Sequence, residues 1–356
     1  MMFLISVSII TLVGFFIFAS ASLGLLVYSG SSFGVVIIKQ AISLIIGIIA
    51  FYILSKIHYS KLRKYALFIF IGAVLVNLLV FIPGLAVHYN GASRWISLGL
   101  FTFQPSELLK IAFIIYLAAW IYFVKDKIQS FKFGLIPYLI IVGILSILLL
   151  FQKDTDTLFI IAMTGLIMLF VAGIRFRYII IALLLLASLV GTVVLIRPYA
   201  LDRVMTYINR GSDTKGSGYQ INQSLIAIGS GQLIGRGFGQ SVQKFGYLPQ
   251  PTDDSIFAVA GEEFGFIGST ILIILYVLLI ISIFRIGNRS PDDFSGLLVV
   301  GIGFFVISES FMNIGAMVGL IPLSGLPLLF VSHGGTALII TLSTMGMVAN
   351  VSKYIK

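Results

Sequence analysis

The chain has 356 residues, of which 59% are hydrophobic and 10% charged, with a mean hydropathy of +1.11. Soluble domains run at about 45–50% apolar and 25% charged, so a soluble fold is excluded and lipid must be part of the solvent. The net charge of +10 is explained by basic loops on one membrane face rather than by nucleic acid. The absence of cysteine excludes disulfides, thiolate metal sites and thiol catalysis. The only histidines, His58, His88 and His333, leave little for a histidine metal site.

The apolar runs are continuous, as over 135–150, whereas barrel strands alternate apolar and polar. The expected fold is therefore an all-α polytopic membrane protein, a single domain over 1–356. Ten spans are predicted, at 3–28, 35–54, 65–81, 106–124, 135–151, 158–172, 178–196, 255–284, 295–320 and 327–351. The eighth is long and is expected to begin outside the hydrocarbon. The N-terminus lacks a basic leader and its apolar run is long enough to remain as an anchor, so no cleavable signal is expected.

Lys56, Lys61, Arg63 and Lys64 follow the second span, and Lys125, Lys127 and Lys132 follow the fourth. Arg175 and Arg177 follow the sixth, Arg285 and Arg289 the eighth, and Lys353 and Lys356 the tenth. With alternating spans all lie on one side, while the opposite short loops hold little beyond Arg94 and Lys153. The positive-inside rule then expects both termini in the cytoplasm of a multi-pass inner-membrane protein. The long loop after the seventh span, 197–254, becomes extracytoplasmic. It is rich in Gly, Ser and Gln, and its second half is expected to be ordered, either re-entrant or lying on the surface. No internal repeat is evident, which weakens a transporter reading.

Ionisable residues in or beside spans are functional candidates. They are Lys39, Glu107, Lys110, Asp154, Asp156, Glu262, Glu263 and Glu309. Glu107 and Lys110 share a helix face and suit a structural ion pair. Glu262 and Glu263 suit structural and substrate-facing roles equally. Glu309, between Ser308 and Ser310, suits a buried hydrogen-bonding centre. Asp253 and Asp254 stand where the loop meets the eighth helix, where acidic residues commonly cap. Gly235-Arg236-Gly237-Phe238-Gly239 only loosely resembles a phosphate loop, without the strand and helix such a loop needs. Arg94-Trp95 fits an interfacial anchor.

Several segments together resemble the SEDS family, which comprises the cell-shape and division proteins RodA and FtsW. In the loop they are Gly218-Tyr219-Gln220, Gln223-Ser224, 227–231, 235–239 and Ser241-Val242-Gln243-Lys244. At its end stand 248–258 and Gly261-Glu262-Glu263-Phe264-Gly265. Further agreement lies at Tyr28-Ser29-Gly30-Ser31-Ser32, 90–96, 104–110, Asp154 with Thr157, Asn313-Ile314-Gly315 and 322–336. The Ser-x-Gln-Lys run followed by Tyr247-Leu248-Pro249 is more similar to the FtsW branch. The chain departs from the family pattern at Gln250, Thr252-Asp253, Ser255, His333, Lys153 and Asp156. Aligning back from Ile256-Phe257-Ala258 selects Asp254 as the key acid.

The resemblance implies a peptidoglycan glycosyltransferase. Such an enzyme polymerises lipid II with inversion into β-1,4 glycan strands on the outer membrane face and releases undecaprenyl pyrophosphate. Asp254 is implied as the base that deprotonates the acceptor hydroxyl. Arg203, Arg210, Arg236, Lys244, Lys153 and Arg94 are implied for the pyrophosphate, with Asp154, Gln220, Gln223, Ser332 and His333 as further substrate contacts. A divalent cation, Mg or Mn, is a possible cofactor, and no organic cofactor is expected. The implied partners are a class B penicillin-binding protein, other divisome or elongasome proteins and membrane lipid, without nucleic acid. Two alternatives remain open: a lipid II flippase with Glu107, Lys110 and Glu309 along a polar route, and a non-catalytic scaffold.

Overall fold

The computed structural model describes residues 1–27, 33–89, 92–97, 99, 102–208 and 216–355. The motif at 28–32, Asn90-Gly91 and Arg210 fall outside the described residues. The order is α1 (Met2–Ser22), α2 (Phe33–Lys56), α3 (Tyr59–Leu78), β1 (Ala86–Tyr89), β2 (Ala92–Ser97), β3 (Thr102–Phe103), α4 (Pro105–Phe123), α5 (Ile136–Phe151), α6 (Thr155–Val171), α7 (Phe176–Ile196), α8 (Pro198–Ile208), α9 (Ser217–Ser230), α10 (Ile256–Asn288), α11 (Asp293–Met317) and α12 (Gly335–Ser352). Nine helical segments among the described residues are long and apolar enough to cross a membrane, and α6 adds a tenth of 17 residues. At roughly 1.5 Å per residue α6 is near the lower limit for crossing the hydrocarbon. The multi-pass reading of the sequence therefore stands.

Three features differ from the expectation. The tenth helix begins at Gly335 rather than 327. Pro322 and Pro327 lack backbone donors, and side chains serve the non-helical backbone that follows: Asn313 Nδ2 donates to Leu326 O (2.8 Å) and Leu328 N–H to Ser332 Oγ (2.8 Å). A small antiparallel sheet, β1-β2-β3, occupies the segment read from sequence as a plain loop. Its register pairs Ala86 with Ile96 and Ile96 with Phe103. The long loop also opens with two helices, α8 and α9.

The chain divides into two compact units. The second unit comprises 43–187, 281–306 and 335–356. Its core helix is α4, on which Leu109, Phe113, Ile114, Leu117 and Ala118 are all buried. A helix apolar on every face belongs inside a bundle. Polar groups at the ends of this unit are paired. Asn350 accepts from Tyr59 N–H (3.0 Å) and donates to Ser55 O (2.9 Å), which secures the turn between α2 and α3. Thr336 ties the first turn of α12 to β3 through Thr102 O (3.2 Å).

The first unit comprises 1–42, 188–280 and 307–334. Its defining feature is a break in α10 at Gly265, whose φ of 66° and ψ of −164° lie outside the helical region. The break separates 256–264 from 266–288, and each new end exposes backbone groups that need partners. The loop after α9 supplies them. Arg236 and Gly237 N–H donate to Glu262 and Glu263 O (both 3.0 Å), while Phe266 and Ile267 N–H donate to Gln232 O (2.8 Å) and Leu233 O (3.0 Å). Backbones approach so closely here that a Cβ on Gly265 would lie 2.3 Å from Gly235 N. The Gly-rich run is thus a splice for a broken helix.

Candidate active site

The site is built where the α9–α10 loop turns into α10. Gln250, at φ 47°, accepts from Asp253 N–H (3.1 Å) and Ser255 N–H (3.3 Å). Ser255 O then accepts from Ala258 N–H (3.0 Å), starting the helix. The backbone carbonyl of Ser255 thus begins the first turn, and the Asp254 side chain is left for other work.

Three hydrogen bonds hold the Asp254 backbone and its neighbours. Asn313 of α11 donates to Asp254 O (2.8 Å), Ser332 Oγ donates to Asp253 O (2.6 Å), and His333 N–H donates to Thr252 O (2.7 Å). Gln40 of α2 steadies Ser332 through its carbonyl (3.3 Å). Within this frame one Asp254 oxygen, Oδ1, is enclosed without a hydrogen-bond partner. Gln220 of α9 hydrogen-bonds the carboxyl group and also donates to Ser255 Oγ (2.9 Å). Gln223 lies one turn further along the same helix, partly exposed. Burial, then the like charge of Asp253, push the Asp254 pKa up to about 7; Gln220, its own backbone and Arg203 of α8 pull the other way. The structure therefore brings together Asp254, Arg203, Gln220, Ser332 and His333 from the sequence-derived set.

One member of that set has a different task. Lys244 is fully buried, with Nζ 2.7 Å from Glu263 Oε1, 3.0 Å from Ser20 Oγ and 3.0 Å from Gly239 O. This corrects the substrate role expected of Lys244: its charge is already used to hold the loop onto α10. Glu262 completes the anchor. It accepts from Ser241 Oγ (2.6 Å), Val242 N–H (3.1 Å) and Gln243 N–H (3.2 Å). Arg236 Nε lies 3.4 Å from the same carboxylate, with the Arg236 side chain 43% exposed. The choice left open for Glu262 and Glu263 is thus resolved toward structure. Removing one partner of a buried pair leaves an uncompensated charge, which costs about 3–5 kcal/mol. Lys244→Met should lower the unfolding free energy by about that much, and adding Glu263→Leu should restore most of it. A Lys244→Met protein that melts normally but binds donor poorly would return Lys244 to the substrate.

In the second unit Arg94, Lys153 and Asp154 form their own group. Arg94 of β2 donates to Lys153 O and lies 3.8 Å from Asp154 Oδ1. Asp154 is 2% exposed and accepts from Ser106 Oγ (2.9 Å). Lys153 takes φ 60°, an uncommon conformation for a side chain of its size, to make that turn. Glu107 and Lys110 pair at 2.9 Å, both buried, and Nζ lies 4.9 Å from the Phe305 ring centroid. Asn313, Gln40 and Ser20 were not singled out from sequence as holding residues. Their signal was available: each is a buried polar residue in an apolar helix.

The broken helix, the spliced loop and a carboxyl group with one enclosed oxygen define a multi-pass membrane protein with a polar candidate site at the end of a span. The chain belongs to the FtsW/RodA/SpoVE family of cell cycle proteins, whose family model matches residues 1–356. It is 39% identical over 310 residues to stage V sporulation protein E of Bacillus subtilis strain 168, covering 87% of this chain and 84% of that one. It is 36% identical over 318 residues to a probable peptidoglycan glycosyltransferase FtsW of Geobacter sulfurreducens, covering 89% and 85%. Among solved structures it resembles a chain described in "Structural coordination of polymerization and crosslinking by a peptidoglycan synthase complex" (TM-score 0.77, 25% identity, 95% and 96% covered). It shares its fold with the rod shape determining protein RodA of Thermus thermophilus (TM-score 0.70, 24% identity, 99% and 97% covered).

Proposed function

We propose that this protein is a peptidoglycan glycosyltransferase that polymerises lipid II, with Asp254 as the base. The observation that carries the reading is the Asp254 carboxyl group, with one oxygen enclosed and its pKa raised to about 7, within reach of Gln220 and the charge of Arg203. A base works best with a pKa near the operating pH. The acceptor hydroxyl oxygen forms a bond to the donor's anomeric carbon as the bond from that carbon to the pyrophosphate oxygen breaks. The hydroxyl proton passes to Asp254, and undecaprenyl pyrophosphate leaves. The leaving group is already stable as an anion, so the site needs cations more than a general acid. Arg203 is the basic residue whose charge acts on Asp254, and half-exposed Arg236 is the next candidate on the same loop. Among the described residues no three His, Asp or Glu side chains converge as a metal site. A divalent cation would then be held mainly by the substrate's own phosphates, and no step depends on it.

On the positive-inside argument the α9–α10 loop and Asp254 face the outside, with both termini in the cytoplasm. A class B penicillin-binding protein is the proposed partner; a similar chain was solved as part of a peptidoglycan synthase complex. The flippase alternative draws no support from Glu107 and Lys110, which are buried against each other.

The test is purified protein in nanodiscs with fluorescent lipid II, alone and with its partner. Glycan polymer is expected, and its absence in both cases would end the reading. Sign follows from chemistry: a base must be ionised, so the initial rate should rise with pH through about 7. Asp253→Asn removes the like charge and should move that rise to lower pH.

A further inference from the structure

Asp253 adds a negative charge beside the reacting carboxyl, and it does not stand alone. His333 Nδ1 lies 3.3 Å from Asp253 Oδ1. The imidazole is stacked on Phe18 of α1, with centroids 5.6 Å apart and planes 15° from parallel. Phe18 is fully buried and forms a fixed plate for the ring. Two further bonds lock the segments in register: His333 N–H to Thr252 O (2.7 Å) and Ser332 Oγ to Asp253 O (2.6 Å). Surface pairs usually contribute little because their side chains must be ordered to meet. Here the stack and the backbone bonds have already ordered them, although the side chains are 40% and 44% exposed.

We propose that His333 is a positioning residue for glycosyl transfer, acting through Asp253: it holds that carboxylate and offsets its charge, and so sets how readily Asp254 takes the acceptor's proton. This replaces direct substrate contact as the task of His333, and it rests on the glycosyltransferase reading. The charged groups around this corner are Asp253 and Asp254 on the loop and Arg203 on α8. From α2, Gln40 reaches Ser332 O, and Lys39 is its neighbour in sequence. No other residue of 320–334 is titratable. A ring nitrogen held against Asp253 offsets part of the field that Asp253 exerts on Asp254. Without it that field acts in full, and Asp254 holds its proton to higher pH.

The experiment is the pH–rate profile of lipid II polymerisation for wild type, His333→Phe, Asp253→Asn and the double variant. Phenylalanine keeps a ring against Phe18 and removes the nitrogen. His333→Phe should move the acid limb up by roughly half to one pH unit, and Asp253→Asn should move it down. In the Asp253→Asn background, His333→Phe should add no further shift, because the charge through which it acts is gone. An unmoved limb, an equal shift in both backgrounds, or a rise in KM for lipid II alone would overturn the proposal. A readout independent of activity separates this failure from failure of the glycosyltransferase reading. With only three histidines in the chain, histidine-labelled protein allows the His333 ring to be followed by NMR. The His333 ring signals should move on Asp253→Asn, because the contact at Nδ1 is lost, and unmoved signals would remove the pair from consideration whatever the polymerisation assay shows.

Discussion

Asp254→Asn should reduce the rate of lipid II polymerisation by about 10²- to 10⁴-fold, the usual contribution of a positioned base. Asparagine has nearly the same shape, so the turn at Gln250 and the bond from Asn313 to the 254 carbonyl should persist. The loss should fall on kcat, since the proton is accepted only as the bond forms. The thermal midpoint should stay level or rise, because an ionised carboxylate with an unpartnered, enclosed oxygen burdens the fold. Paired activity and melting measurements on one preparation check both statements. A variant that keeps a tenth or more of the wild-type rate would place the base elsewhere.

Gly265→Ala should cause the largest loss of stability. The backbone at 265 lies in a region essentially reserved for glycine, which alone costs an alanine about 1–3 kcal/mol. The added Cβ would also meet backbone, at 2.3 Å from Gly235 N and 2.8 Å from Ile234 C. Backbone cannot rotate aside as a flexible side chain can. The splice must open, exposing the four bonds that cap the two halves of α10. A combined loss above about 4 kcal/mol is expected, seen as a sharp fall in thermal midpoint or in folded yield. Gly72→Ala, at a position with open space around it, is the control and should be near neutral.

Much of the fold was legible because bilayer thickness dictates how long an apolar run must be, and nine such runs among the described residues are long helices. The buried Glu107–Lys110 pair was legible for a related reason: opposite charges three apart in an apolar helix have nowhere else to go. The sheet was not, since β1 is short and its pairing depends on partners outside itself. Neither was the fate of Lys244. Its position in the loop suggested an accessible cation, and only the packing of Ser20 and Glu263 around it shows the charge to be spent internally. Asp254 was selected by resemblance to relatives. Its enclosed oxygen and its raised pKa come from burial and from the neighbouring Asp253 charge, within a frame that Asn313 holds from tens of residues away in sequence.

The break at Gly265 also bears on how the protein is made. An unbroken helix of 33 residues would be roughly 50 Å long, against a hydrocarbon layer of about 30 Å. Divided at 265, only the second part needs to cross, and the first can rest beside Asp254 at its own angle. The strands of backbone that secure the division, 231–237, leave the ribosome before α10 does. The receptor for each new helix end is therefore already present when that end emerges. This broken span can reach its final shape from its own stretch of chain, without waiting for α11 or α12.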